Sequence, residues 1–237
     1  MPQSAQTPAR DVPIRDAATV IALRARKGQR EVLMGQRGAK AAFMPMKFVF
    51  PGGAVDPEDA EVPLAAPLPQ PCARRLAEDA RPELVPALAA AAIRELWEET
   101  GLVLGRPGAW PDAPADWQGF AATGHRPDPS ALRFVFRAVT PPGRPRRFDA
   151  RFFTLDADAA IRGDLEDFSA ACDELSHLQW IPLPEVRAFD LPFITEVVLA
   201  EIAASETGEA PASVPYFAQD EEEQLFRRLG GRSPLVS

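Results

Sequence analysis

A mixed α/β class is predicted by three features of the sequence. Several short segments alternate like strands. Two longer stretches near residues 84–100 and 191–205 repeat with helical periodicity, and the two kinds of segment are interleaved along the chain. The chain has 237 residues, 46% hydrophobic and 25% charged, which suits a soluble globular protein with one sizeable core.

The elements follow in order. Residues 1 to 15 are polar, contain three prolines and are expected to be a loose tail before a single domain from 16 to 237. "AATVIALRA" (17–25) and "EVLMGQR" (31–37) read as strands on either side of the turn-like "RKGQ". "KFVFPGG" (47–53) is a short strand ending in a glycine turn. Residues 57 to 86, rich in proline, alanine and acids, suggest an insertion with one short helix. A helix is expected from about 84 to 100. "WQGFAATG" (117–124) is assigned as a strand inside a loop-like region. "LRFVFRAV" (132–139), "DARFFTLDA" (149–157) and "ELSHLQWIPL" (174–183) read as further strands. Two C-terminal helices are expected within 191–229. The first has Pro192 in its first turn, and the second, "DEEEQLFRRLG", is closed by glycine.

A net charge of −8 and a pI near 4.9 argue against non-specific binding to nucleic acid or an anionic membrane. The two cysteines, Cys72 and Cys172, have no metal-ligand spacing and read as reduced thiols, so a cytoplasmic protein is expected. The N-terminus has no signal-peptide core, and no apolar run is long enough for a membrane span.

"AAIRELWEETGL" (91–102) carries the chemistry. Glu95, Glu98 and Glu99 share one helical face just before Gly101, while Ile93, Leu96 and Trp97 lie opposite. Charge on a helix is usually a solvated face. Here like charges at i,i+4 cost roughly 0.2–0.5 kcal/mol, and carboxylates in a last turn oppose the helix dipole at roughly 0.3–1 kcal/mol each. A bound Mg²⁺ or Mn²⁺ would reverse that account, because both prefer hard oxygen ligands.

Together with the glycine turn of "FPGGAVDPED" (50–59), this helix resembles the Nudix box, G-x5-E-x7-R-E-U-x-E-E-x-G-U with U apolar. Gly53 opens the box, and Asp59 stands where the family has its first glutamate. Arg94, Glu95, Leu96, Glu98, Glu99, Gly101 and Leu102 match the second half. Asp59 and Arg94 are separated by 34 residues instead of seven. Closing the longer loop costs only roughly 1.4 kcal/mol, so the box can assemble across an insertion at about 60–84. That insertion, with "GQRGAKAAFMPMKFVFPGGAVDPED" and "PRRFDARFF" (145–153), looks like the Nudix branch of coenzyme A diphosphatases.

The resemblance implies a Nudix-type α/β/α sandwich with a mixed β-sheet and a loop-helix-loop box. It also implies metal-dependent hydrolysis of a nucleoside diphosphate linked to another group. Coenzyme A or acyl-coenzyme A leads as substrate, with NADH or ADP-ribose as alternatives and a non-catalytic nucleotide-sensing module as the reading of another class. Implied metal ligands are Glu95, Glu98, Glu99 and the carbonyl of Gly53. Glu95, Glu98, Arg94 and Glu174 are the catalytic candidates, with Glu98, Glu174 and the acids of "GDLEDF" (163–168) as possible bases. Arg37, Lys47, Phe43, Arg146 and Arg147 are the substrate-contact candidates. Gly52, Asp59 and Gly101 shape the box. The expected partner is a small-molecule nucleotide, and a homodimer is compatible with it.

Overall fold

The computed structural model describes residues 12–41, 43–205, 210–219 and 224–230. The first eleven residues of the expected tail lie outside them. Of the rest of that tail, Val12 and Pro13 have no regular structure, and Ile14 and Arg15 already belong to a strand.

The framework is one mixed sheet. β1 (Ile14–Arg26) pairs antiparallel with β2 (Gln29–Arg37) and parallel with β8 (Arg147–Asp156). β7 (Arg133–Val139) continues beyond β8, followed by β10 (Val214–Gln219) and β11 (Gln224–Leu229). On the other side β2 carries β3 (Phe48–Val49) and β9 (Leu175–Pro182), and β4 (Gly52–Ala54) pairs with β1. A separate two-stranded sheet joins β5 (Gly105–Pro107) to β6 (His125–Pro127).

Alternation along the strands sends side chains into two cores. Ala18, Val20 and Ala22 of β1 pack with α2 (Leu84–Thr100), while Ile21 and Leu23 pack with α5 (Phe193–Ala203). The sheet therefore lies between two helical layers, the sandwich expected. α2 sits close because Ala87 and Ala89–Ala92 are small and buried. It stops at Gly101, whose φ of 75° is left-handed and whose N–H donates to the Trp97 carbonyl at 2.7 Å. Among the described residues no helix is long and apolar enough to cross a membrane.

Two expected elements are different. The strand assigned to 117–124 is a short helix, α3 (Gln118–Ala122), because Trp117 and Phe120 turn inward together and stack beside Trp97. The second C-terminal helix is instead strand β11, although residues 220–223 of that stretch lie outside the described set. Its helical periodicity loses to the open edge of β10, where Arg227 stands opposite Tyr216 and lies 4.8 Å over its ring, while Leu229 is fully buried.

The segment between Asp59 and α2 supports this hairpin. It contains α1 (Gln70–Leu76), whose Arg75 donates to the carbonyls of Pro211 and Ala212. Beyond it Glu78 accepts from the Gly230 N–H at 2.7 Å, and Asp79 pairs with Arg227.

Gly101→Ala is expected to cost about 1–2 kcal/mol in urea unfolding, from the left-handed backbone alone. An added Cβ would also lie 3.1 Å from the Ala170 Cβ.

Candidate functional site

The site lies where the last turns of α2 face the β4 glycines. β4 crosses β1 with Gly53 opposite Ala18 and Gly52 opposite Thr19. A Cβ at position 52 would come 2.6 Å from the Ala18 carbonyl oxygen, and one at 53 would come 2.6 Å from Glu95 Oε2. Only glycine lets the backbone approach both the strand and the carboxylates so closely. The Gly52 N–H uses that approach, donating to Glu99 Oε2 at 2.7 Å.

Arg94 organises the remainder. Its Nε and Nη2 donate to the two oxygens of Asp59, each at 3.0 Å, in a bidentate pair. Nη1 donates to Glu95 at 2.8 Å and Glu98 at 3.2 Å, and Nη2 also reaches the Ala54 carbonyl. Asp59 is 2% exposed and also accepts from the Asp56 N–H at 2.9 Å. The loop is thus tied to the helix across the 34 intervening residues. The surrounding acids hold the Arg94 guanidinium firmly in its charged form, outweighing the cost of its burial.

The carboxylates are under electrostatic stress. Burial pushes Glu95 up to about 7; Arg94 opposes the rise and Glu98 adds to it. Burial and the charge of Glu95 hold Glu99 well above the ordinary range despite the Gly52 N–H. Glu98 is raised too, first by burial, against Arg94. Glu99 Oε1 is buried and has no hydrogen-bond partner among the described residues.

The predicted residues divide into two groups. Arg94, Glu95, Glu98, Glu99, Gly52, Gly53 and Asp59 come together, with Gly101 closing the helix behind them. Glu174 and Arg37 join from β9 and β2: the charge of Glu174 raises Glu95 and Glu99, and that of Arg37 lowers Glu99. Lys47 is instead ion-paired with Asp190. Phe43 packs edge-on against Phe148 at 5.5 Å, Arg146 is exposed, and Arg147 donates to the Thr140 carbonyl. None of these contacts is with the carboxylates. Three residues escaped the sequence reading. Asp56 lies 3.6 Å from Arg94, and its Asp-Pro step was a legible helix-start signal. Asp116, whose charge raises Glu98, and Cys172, whose N–H donates to the Glu98 carbonyl at 2.7 Å, carry no local signal.

No protein-family model matches the chain. A Caenorhabditis elegans protein bearing the name nudix hydrolase 7 is 29% identical over 190 residues, 70% of this chain and 51% of the relative. The chain therefore spans about half the length of that curated relative. A crystal structure of a Nudix hydrolase from Alicyclobacillus acidocaldarius is 30% identical, with a TM-score of 0.58, and the match covers 85% of this chain and all of the other. The chain belongs to the Nudix hydrolases. Nudix hydrolases generally use divalent metal ions.

The residues of this Nudix chain suit such an ion. Burial stresses its carboxylates, Glu99 has a buried oxygen without a partner among the described residues, and the Gly53 backbone lies against Glu95. Among the described residues no three acidic, histidine or cysteine side chains enclose a metal position. Arg94 holds Glu95 and Glu98, while Glu99 accepts from the Gly52 N–H.

Two outcomes follow. Asp59→Ala leaves Arg94 buried without its bidentate partner and is expected to cost about 3–5 kcal/mol in denaturant unfolding. Raised carboxyl groups contribute stability that is present below the ordinary value of 4.5 and lost as pH rises, through about 7 for Glu95 and well above the ordinary carboxyl range for Glu99. Without metal, Glu99→Gln should therefore gain stability relative to the parent protein as pH rises from 4.5 to 8. Parallel pH profiles of melting temperature would refute the stress on Glu99.

Proposed function

We propose that the protein hydrolyses the diphosphate bridge of a nucleoside diphosphate linked to another group, using Mg²⁺ or Mn²⁺. The observation that carries this reading is the stressed carboxylate set of Glu95, Glu98 and Glu99 against the Gly52–Gly53 turn, with the buried, unpartnered oxygen of Glu99. Glu95, Glu98, Glu99 and the Gly53 carbonyl are the residues that would hold the ion. When bound, it neutralises the diphosphate and acidifies a coordinated water.

The chain's own groups supply the rest. Arg94, fixed by Asp59, keeps Glu95 and Glu98 in place. Arg37 is the cation assigned to the diphosphate: it pairs with Glu174 beside the carboxylates and keeps a buried Nε donor without a partner among the described residues, whereas Lys47 pairs with Asp190 and Arg147 with a backbone carbonyl. Glu174 is 53% exposed beside the carboxylates and is assigned as the general base. It takes a proton from water, the oxygen attacks phosphorus, and the bond to the bridging oxygen breaks. The electron pair leaves with the departing phosphate.

For the substrate we favour coenzyme A or acyl-coenzyme A, giving 3′,5′-ADP and (acyl)phosphopantetheine. The support is the sequence resemblance in 35–59 and 145–153 and the treatment of residues 60–84 as an insertion within the box. The intact glutamate set favours turnover over a sensing module.

Incubation with Mg²⁺ or Mn²⁺ and coenzyme A, acetyl-coenzyme A, NADH, ADP-ribose and dinucleoside polyphosphates, with products read by mass, tests the reading. Coenzyme A should yield 3′,5′-ADP, and Glu98→Gln should abolish turnover while leaving the fold intact. Cleavage of NADH or ADP-ribose alone would overturn the coenzyme A assignment and retain the chemistry.

A further inference from the structure

β2 and β9 do not pair evenly. Met34 faces Gln179 and Gln36 faces Ser176, so Gly35 alone stands opposite both His177 and Leu178. This is a β-bulge, with His177 in the left-handed region at φ 52°. Gly35 is required because β9 passes so close: a Cβ there would lie 2.9 Å from both Leu175 Cβ and Leu178 Cδ2. Bulges increase the local twist and re-aim the side chains that follow. Two residues past the bulge on β2 stands Arg37, paired with Leu175, and just before β9 begins stands Glu174.

Those two side chains meet. Arg37 Nη2 donates to Glu174 Oε1 at 2.7 Å; the arginine side chain is 20% exposed and the glutamate 53%. Arg37 Nε is buried with no partner among the described residues, so the guanidinium retains an unused donor. Cys172, two residues before Glu174, donates its N–H to the Glu98 carbonyl at 2.7 Å. The pair therefore stands at the edge of the carboxylate set. A diphosphate bound there would compete with Glu174 for the same guanidinium, and Arg37–phosphate bonds would leave Glu174 free to accept a proton.

We propose that Arg37 and Glu174 form a latch, aimed by the Gly35–His177 bulge, in which Arg37 holds Glu174 until the diphosphate of the substrate takes its place. This rests on the hydrolase reading above and adds a coupling between substrate binding and release of the base. Arg37 is then a positioning residue for Glu174 as well as a contact for the substrate.

Binding of α,β-methylene-ADP in the presence of Mg²⁺, measured by calorimetry on the full chain, tests it. The proteins are the parent, Arg37→Ala, Glu174→Gln and the double variant. Releasing Arg37 by Glu174→Gln should tighten binding by roughly three- to fivefold, the range of a partly exposed ion pair. In the Arg37→Ala background the same change should have no effect, because there is no latch to release. Gly35→Ala, which disturbs the bulge, should reduce the tightening without removing either charge. Equal tightening with and without Arg37 would show a through-space charge effect and overturn the latch alone, as would no tightening in the parent. Failure of the parent protein to bind the analogue would overturn the diphosphate site and the latch together.

Discussion

The buried pair between Arg94 and Asp59 is the constraint on which the site depends. Neither charge is tolerable alone at these depths, and bidentate geometry satisfies both. The pair joins the end of the glycine loop to the middle of α2, so the long intervening segment cannot change their separation. From this fixed guanidinium the chain suspends Glu95 and Glu98, and the loop it anchors presents Gly52 to Glu99. Removal of either partner would affect every carboxylate in the set.

Small residues make that arrangement accessible. The alanine run of α2 lowers the helix onto the sheet, and the two glycines remove the side chains that would collide with Ala18 and Glu95. Close packing then excludes water from Glu95 and Glu99, and the same exclusion raises their affinity for protons. The acidity of the whole chain gives no hint of this local stress, which comes from burial.

The segment between Asp59 and α2 has a second structural role. α1 and the residues after it hold the carbonyls of Pro211 and Ala212, the N–H of Gly230 and the side chain of Arg227. Arg137 adds to this anchoring from β7. It donates to the carbonyls of Glu78 and Asp79 while forming a bidentate pair with Asp149. The segment is thus the platform on which β10 and β11 extend the sheet, and Val214 and Leu229 are buried in the same core as Cys72 and Leu76.

The sequence by itself determined what is local and periodic. α2 runs from Leu84 to Thr100 as its apolar and acidic faces require, Gly101 ends it, and the principal strands follow their alternation. The carboxylate set was legible for the same reason, since one helix carries all three members at fixed spacing. Tertiary structure decided what depends on a partner far along the chain. "DEEEQLFRRLG" satisfies a helical period until β10 offers an edge to its second half, and "WQGFAATG" coils because Trp97 provides a surface for Phe120, on which Trp117 packs in turn. Lys47 and Arg147 could not be separated from Arg37 by composition. Their destinations depend on Asp190, on the Thr140 carbonyl and on Glu174, each reached only through the sheet. The β2–β9 bulge is of this kind as well: it exists only when two strands about 140 residues apart are brought into register, because a bulge is a property of a pair.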